Sequence, residues 1–372
     1  MSNHAPIQPS ALALTVACNA SVSLQASVPE TKDTEEEAEG KAAHLVAMWA
    51  AQGKLFDVGT KFQCEGREWT VDVDMYNGAK LYARTVGADY RLEDPVRCSR
   101  IHPTHCWGTP DAWKSFAAAQ GRTLVRVPDY KYGHRYVEVF ENFQLIAYAV
   151  GVMERLNLDD TNTDVELVLI QPRSYHREGP VRTWRVPAVE LRALVNIARN
   201  AAERALLPNP EAQTGEHCID CRARHVCATL KRSVGTIVDY SGTAELAPLD
   251  IEAMGSELRI LDEAAQRLEA RRTGLAAMVD ATLRAGKRVP FYELRPGQSR
   301  LKWLPTTTSQ DIANLGELLG IRTAKPLDVI TPRQAIDAGI DEKVVMSYAD
   351  RPPAALVMKP VDTTAADKAF SK

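Results

Sequence analysis

Two aspartates and a lysine are spaced so that they could together hydrolyse a phosphodiester bond. The segment Gly108-Thr-Pro-Asp111 precedes Asp129-Tyr-Lys131 by seventeen intervening residues. Such hydrolysis needs a divalent cation, which offsets charge on the scissile phosphate and lowers the pKa of an attacking water. Mg²⁺ prefers oxygen ligands, usually including one or two carboxylates. We therefore predict that Asp111 and Asp129 bind a cation from two adjacent strands.

Lys131 lies two residues after Asp129, and alternate residues of a strand point to the same face. The two side chains are therefore expected to project together. Lys131 could orient or deprotonate the water, or stabilise the negative charge that develops on the phosphorane. The alternative is an ordinary Asp/Lys pair at a strand edge, with Asp111 a surface aspartate.

Three further side chains could belong to this site. In Glu39-Gly-Lys-Ala-Ala-His44, a neutral imidazole could complete the shell of the cation, which would let Mn²⁺ replace Mg²⁺. Otherwise His44 is a partly buried structural histidine. Gln144 and Tyr148 are four residues apart and share one helical face. They could reach a DNA phosphate or the active-site lysine, or could simply pack against the sheet.

A second group of residues has metal-ligand spacing. Cys218, Cys221 and Cys227 form the pattern C-x₂-C-x₅-C, a strong metal signal in an intracellular protein, and Cys18 is the natural fourth ligand. Four thiolates suit Zn²⁺ as well as an iron–sulfur cluster. A histidine, His217 or His225, could supply a zinc ligand instead. A metal joining Cys18 to this segment would close a loop of about two hundred residues and act as a structural staple.

Patterns of apolar residues predict an α/β core. Strands followed by helices, with one buried strand between two helices, are typical of that class. The predicted elements are a helix over 36–52, strands between 61 and 139 that include 69–73 and 124–127, a helix over 142–156, a strand over 165–171, and a helix from Pro187 to Leu206.

A change of character after Arg232 predicts a domain boundary, with residues 1–234 forming the core and 235–372 a helical and hairpin appendage. A long amphipathic helix is expected over 257–284. Its apolar stripe could pack on the core or dock a partner. Residues 291–295 and 300–304, joined through Pro296-Gly297, are expected to form a hairpin, and the last dozen residues a disordered tail.

The overall composition is that of an ordinary soluble globular protein, with 45% hydrophobic and 25% charged residues. A formal net charge of -3 does not exclude DNA, because positive charge can be concentrated along one groove. No apolar run approaches the roughly 20 residues of a transmembrane helix, and no signal peptide is evident. Seven cysteines, an odd number, favour reduced thiols or metal ligands over a disulfide framework. We expect a cytoplasmic protein without a membrane partner.

The order of these motifs resembles a known family. The set E-G-x-x-x-H, G-T-P-D, D-Y-K and Q-x-x-x-Y is similar to the RecB-type nuclease signature of the PD-(D/E)xK superfamily. The closer resemblance is to a phage and prophage group of such nucleases. It rests on Asp129-Tyr-Lys-Tyr-Gly133, Asn142-Phe-Gln-Leu-Ile-Ala-Tyr-Ala149 and Gln171-Pro-Arg173, and it covers about residues 8–232.

The resemblance implies a restriction-endonuclease-like core, in which a central mixed sheet is flanked by helices. It implies a deoxyribonuclease, an exonuclease in particular, that acts in phage recombination or replication in the cytoplasm of a bacterial host. The implied metal ligands are His44, Asp111 and Asp129, assisted by the Tyr130 carbonyl. Lys131 would be the catalytic lysine, with Gln144 and Tyr148 facing DNA.

Cysteines in AddB-type and CRISPR-associated RecB-like nucleases have the same arrangement and hold a [4Fe–4S] cluster, so the resemblance implies one here. The segment Ala17-Cys-Asn-Ala departs from the more polar, proline-containing run of the phage group. This kind of enzyme also implies a phage single-strand annealing or binding protein as a partner. The alternative function is a zinc- or iron–sulfur-stapled DNA-binding or assembly protein that does not cleave.

Overall fold

The described part of the chain in this computed structural model comprises residues 5–29, 33–174, 178–241, 251–296, 301–304, 307–323, 331–350 and 356–360. It divides into two compact units, Met1–Gly274 and Leu275–Lys372. The division lies forty residues beyond the boundary predicted after residue 234. The predicted tail lies outside the described residues.

The first unit contains a five-stranded sheet in the order β3-β6-β7-β8-β9, together with two short strand pairs, β1-β2 and β4-β5. Its strands are β1 Lys61–Cys64, β2 Arg67–Thr70, β3 Arg91–Leu92, β4 Val96–Arg97, β5 Trp107–Gly108, β6 Ala112–Ala117, β7 Thr123–Tyr130, β8 Thr163–Ile170 and β9 Val181–Pro187. Its helices are α1 Leu12–Ala17, α2 Ser21–Ala26, α3 Glu35–Ala51, α4 Val73–Val86, α5 Phe143–Arg155, α6 Arg192–Ala205, α7 Ala228–Ser241 and α8 Ile251–Arg284, which continues into the second unit.

The sheet is mixed because β7 and β8 are parallel, joined by the crossover helix α5, whereas the other neighbours are antiparallel. Successive residues of a strand point to opposite faces. Accordingly, Leu167 and Leu169 of β8 enter a core with α5 and α6, and Val168 and Ile170 enter a second core with α3 and α4. The predicted α/β class, with a central mixed sheet flanked by helices, is confirmed.

Two local predictions in this unit were wrong, and one strand was missed. The expected strand over 69–73 ends at Thr70, because the Asp72 side chain accepts a hydrogen bond from the Met75 amide at 2.7 Å and caps α4. The helix expected from Pro187 begins at Arg192, after a 3-10 turn over Ala188–Leu191. Pro187 instead ends β9, an edge strand that was not predicted; an edge position tolerates the missing amide hydrogen.

The second unit contains α9 Ser309–Leu319, α10 Pro332–Asp337 and α11 Glu342–Met346, with strands β10 Tyr292–Pro296, β11 Lys302–Trp303, β12 Ala349–Asp350 and β13 Leu356–Pro360. The predicted hairpin is wrong, because β10 pairs with β13 and β11 with β12. Residues 297–300, which include the expected turn, lie outside the described part. Alternation identified the strands here but not their partners.

The long helix α8 buries one side in the first unit and exposes its apolar stripe. Ala270 is fully buried in a small core with Cys218 and Cys227. Along the stripe, Leu258 and Leu261 are 61% and 53% exposed. These two leucines therefore do not pack on the core, which was one of the two expectations for the stripe.

Candidate metal centre and cysteine cluster

Two adjacent strands bring the predicted aspartates together. Asp129 is the last residue but one of β7, and Asp111 immediately precedes β6, its antiparallel neighbour. The backbone amide of Tyr130 donates a hydrogen bond to Asp111 Oδ2 at 2.7 Å. Both carboxylates thus lie at one edge of the sheet, as the spacing predicted.

Lys131 and Gln144 complete a connected group around Asp129. Lys131 Nζ lies 3.0 Å from Asp129 Oδ2 and donates to Gln144 Oε1 at 3.2 Å. Gln144 Nε2 in turn donates to Asp129 Oδ1 at 3.0 Å. Asp129 is 2% exposed. The sequence offered Gln144 three roles: contact with a DNA phosphate, contact with the lysine, or packing against the sheet. The structure shows contact with the lysine.

Tyr148, one turn further along α5, is almost fully buried and is hydrogen-bonded to Gln144. A Cβ on Gly108 would lie 3.0 Å from its ring, so that glycine permits the strand to approach α5 closely. The Tyr130 side chain points to the opposite face of the sheet and contacts the Tyr82 ring at a centroid distance of 5.4 Å. Its backbone remains beside the aspartates.

His44 of α3 reaches the same edge, together with a glutamate that the sequence patterns did not single out. His44 Nδ1 lies 3.6 Å from Asp111 Oδ2, and His44 Nε2 lies 2.7 Å from Glu93 Oε1. One ligand atom from each of these three side chains fits within 4.8 Å of the others. No motif marks Glu93, because its position depends on a turn of the chain rather than on a spacing.

That turn holds Glu93 in a backbone conformation that is uncommon for residues other than glycine. Its φ is 49°, and its amide donates to the Asp111 carbonyl at 3.2 Å. Left-handed backbone in such residues is uncommon and costs free energy. The turn directs the carboxylate of Glu93 towards His44 instead of continuing β3.

The site carries an excess of negative charge at close range. Burial alone would lower the pKa of His44, but Asp111 and Glu93 outweigh it and raise the pKa to about 9. Burial and the neighbouring Asp129 both raise the pKa of Asp111. The two aspartates also raise the pKa of Lys131 in spite of its burial. Crowded carboxylates that disfavour their own ionisation are stabilised by a cation.

The donor set fits a hard divalent cation. It offers carboxylate oxygens from Asp111, Asp129 and Glu93 and one imidazole nitrogen from His44. Mg²⁺ binds oxygen ligands, and Mn²⁺ binds oxygen together with imidazole nitrogen. Asp129 Oδ2 is buried without a well-aligned hydrogen bond, although Lys131 Nζ is 3.0 Å away. An oxygen in that situation is available to a metal ion.

The Q-P-R segment positions the elements around the site. Gln171 is fully buried, and its amide donates to the Gly133 and Arg135 carbonyls, each at 2.7 Å. Arg173 pairs with Glu39 of α3 at 2.9 Å and lies over the Tyr132 ring. Arg173 therefore ties the helix that carries His44 to the chain that follows β7.

The four predicted cysteines line one small cavity of the first unit. Cys18 is the C-cap residue of α1, and the remaining three lie in or beside 3-10 turns after α6; they are Cys218, Cys221 and Cys227. The Gln213 amide donates to Cys18 Sγ at 3.4 Å. The sequence thus identified all four residues, although Cys18 is 200 residues from the next.

Electrostatics around the cavity indicate that these thiols share one environment. Burial together with the charges of the other three cysteines raises the pKa of Cys221 to about 11. Cys18 and Cys218 lie beside His217 and raise the pKa of its imidazole to about 10. The histidine that the sequence offered as an alternative zinc ligand therefore lines the same cavity.

The fold and the site define an α/β protein with carboxylates and a lysine at one edge of its central sheet and a histidine that reaches them from helix α3. A protein-family model described as "Protein of unknown function (DUF2800)" matches residues 4–316. Since the match covers most of the chain, the protein belongs to the DUF2800 family. Within the described residues, no helix is both long enough and apolar enough to cross a membrane.

Proposed function

We propose that this protein is a metal-dependent deoxyribonuclease that hydrolyses phosphodiester bonds. The observation that carries the proposal is the meeting of Asp111, Asp129 and Lys131 at one edge of the sheet, within reach of His44. Buried charges are paired or coordinate a metal ion, and acidic groups with perturbed pKa values cluster at functional sites, which supports a cation here.

In this proposal His44, Asp111, Asp129 and the Tyr130 carbonyl hold the cation, with Glu93 beside them. The cation, Mg²⁺ or Mn²⁺, would neutralise the scissile phosphate and acidify a bound water. Lys131 stabilises negative charge on the phosphate or orients the water. Gln144 hydrogen-bonds to both Asp129 and Lys131, so it orients the two side chains towards the same point.

The test uses end-labelled single-stranded and double-stranded DNA with Mg²⁺ or Mn²⁺. The wild-type protein should degrade at least one substrate only when the cation is added. An exonuclease, the mode implied by the family resemblance, should release label from one end first. Binding without any cleavage would favour the second candidate, a metal-stapled DNA-binding or assembly protein, which the cysteine cavity alone would also support.

We propose a [4Fe–4S] cluster in the cysteine cavity, with Zn²⁺ as the alternative. The four thiolates of Cys18, Cys218, Cys221 and Cys227 would hold it, and its role is to tie the two ends of the nuclease core together. The resemblance of the cysteine pattern to that of AddB-type nucleases supports iron, and the four thiols that line one cavity could bind either metal. Metal analysis of anaerobically purified protein distinguishes the two.

The proposed setting is the cytoplasm of a bacterial host, and the proposed partner is a phage single-strand annealing or binding protein. The exposed stripe of α8, which includes Leu258 and Leu261, is the surface offered to it. Leu258→Asp should weaken association with such a protein and leave cleavage of naked DNA unchanged. Loss of cleavage in this variant would instead make the stripe part of the catalytic unit.

A further inference from the structure

Exposed aromatic rings lie on the segment that joins the catalytic strand to the catalytic helix. Residues 132–142 connect β7 to α5, between Lys131 and Gln144. In this segment Phe140 is 55% exposed and Tyr136 is 39% exposed. Phe140 contacts the Trp184 ring of β9 at a centroid distance of 4.9 Å. We call Tyr136, Phe140 and Trp184 the aromatic shelf.

The shelf lies on the same face of the sheet as Asp129. In the strand register Asp129 is opposite Leu169, and Leu169 is opposite Arg182, so these three residues form one row. Residues in one row share a face, and neighbouring strands are about 4.8 Å apart, which places Arg182 about 10 Å from Asp129. Trp184, two residues along β9, points to that face as well.

The segment is held rigidly rather than left as a loose loop. Gln171 binds the Gly133 and Arg135 carbonyls and accepts a hydrogen bond from the Val137 amide at 3.3 Å. The Glu138 carboxylate accepts from the Phe140 amide at 3.0 Å. These contacts fix the backbone on both sides of Tyr136 and Phe140, so the exposure of the two rings does not result from fraying.

Two arginines lie beside the rings. Arg182 is buried, and its guanidinium lies over the Tyr136 ring, with its central carbon 4.7 Å from the ring centroid. Arg135, next to Tyr136, has a side chain that is 75% exposed and pairs with Asp220. Single-stranded nucleic acid is bound by aromatic faces that stack with bases, beside positive charge that follows the backbone. A duplex hides its base faces and cannot use such rings.

We propose that the aromatic shelf binds unpaired bases of single-stranded DNA and leads that strand to the cation site. Phe140, which is 55% exposed and in tilted contact with Trp184, offers ring surface on which a base can stack. The inference rests on the proposed function for the destination of the strand, and it names the substrate class as DNA with a single-stranded end. Base stacking needs no catalysis, so binding can be tested separately from cleavage.

The experiment measures binding of the full-length protein to an oligodeoxythymidine that contains one 2-aminopurine, and to a blunt duplex, with no divalent cation added. Wild-type protein should bind the single strand more tightly than the duplex and quench the 2-aminopurine by stacking. Phe140→Ala should weaken single-strand binding roughly 5- to 150-fold, the range expected for one lost stacking contact. Phe140→Trp should restore both binding and quenching.

Two controls separate stacking from folding. Phe140→Leu keeps an apolar cover over Trp184 but has no ring, so it should remain folded and still lose the quenching. Leu207→Ala removes a side chain that is similarly exposed, at 57%, elsewhere in the same unit and should bind as wild type does. If Phe140→Leu binds and quenches as the wild type does, the proposed binding of bases by the aromatic shelf is wrong. The proposal is also wrong if the wild-type protein does not bind the single strand.

The outcomes also separate this inference from the nuclease proposal. If Phe140→Leu changes neither cation-dependent cleavage nor single-strand binding, the nuclease proposal is retained and the aromatic shelf is rejected. Single-strand binding that depends on Phe140, without cleavage under any cation, would support the shelf and reject the nuclease.

Discussion

Gln144 Nε2 lies 3.0 Å from Asp129 Oδ1, so a neutral amide on the first turn of α5 connects the helix directly to the buried carboxylate of β7. The same amide group accepts a hydrogen bond from Lys131 through its oxygen. An amide presents a donor and an acceptor at fixed separation, which lets it orient an acid and a base at once.

This relationship leads to the first prediction. Asp129→Asn and Lys131→Ala should each reduce cation-dependent DNA cleavage at least about a hundredfold, because each removes a group at the reacting centre. Circular dichroism should show an unchanged fold. Lys114→Ala, which removes a partly exposed lysine of the neighbouring strand β6, is the matched control and should cleave normally. Wild-type rates in either site variant would reject the assignment.

A second prediction concerns Glu93, whose carboxylate contacts His44. Glu93→Gln should raise the Mn²⁺ concentration needed for half-maximal activity about 10- to 100-fold, the usual effect of losing a group that orients or binds a metal ligand. A titration of activity against Mn²⁺ measures it. Glu65→Gln is a close control, because Glu65 also has a positive φ, of 48°, but pairs with Lys41. An unchanged titration in Glu93→Gln would remove Glu93 from the site.

The cysteine cavity gives a third prediction. Protein purified without oxygen should be brown, with iron and sulfide near the ratio of one four-iron cluster. Cys221→Ser should lose the colour and melt at a lower temperature, whereas Cys64→Ser, which changes a cysteine that does not line the cavity, should keep both. Colourless protein with one bound zinc would establish the alternative metal.

A fourth prediction tests how α5 is seated on the strands that precede Asp111. A Cβ on Gly151 would lie 2.7 Å from the Arg97 carbonyl oxygen, a backbone atom that cannot move away cheaply. Gly151→Ala should therefore reduce the free energy of unfolding by about 1–3 kcal/mol. Gly40→Ala, in an open position of α3, should increase it by about 0.5–1 kcal/mol. Urea denaturation of the two variants measures both signs, and equal effects would mean that this packing contact is absent.

Most of the residues that the motifs singled out lie together in the structure, because they are close in sequence or carry a characteristic spacing. Asp129 and Lys131 lie on one strand, and Cys218, Cys221 and Cys227 lie in consecutive turns. Alternation and helical periodicity likewise predicted β7, α5 and β8, whose apolar residues follow regular repeats.

The missed features depend on contacts between distant parts of the chain. Glu93 reaches His44 through a turn held by the Asp111 backbone. The residues next to Glu93 in the sequence give no sign of this contact. The helix α4 was missed because Val71 and Val73 continue the alternation of β2, while the Asp72 cap that starts the helix is a single residue. For β10, the partner strand lies some sixty residues away, and a nearby proline and glycine suggested a closer one.

The cysteine cavity also has a consequence for the order of events during biosynthesis. Cys18 leaves the ribosome 200 residues before Cys218, a delay of roughly 10–40 s at ordinary rates of translation. During that interval a nascent chain can offer a metal ion only one of the four thiolates. Under the proposed cluster, binding by all four cysteines therefore follows synthesis of the strands beside Asp111 and Asp129.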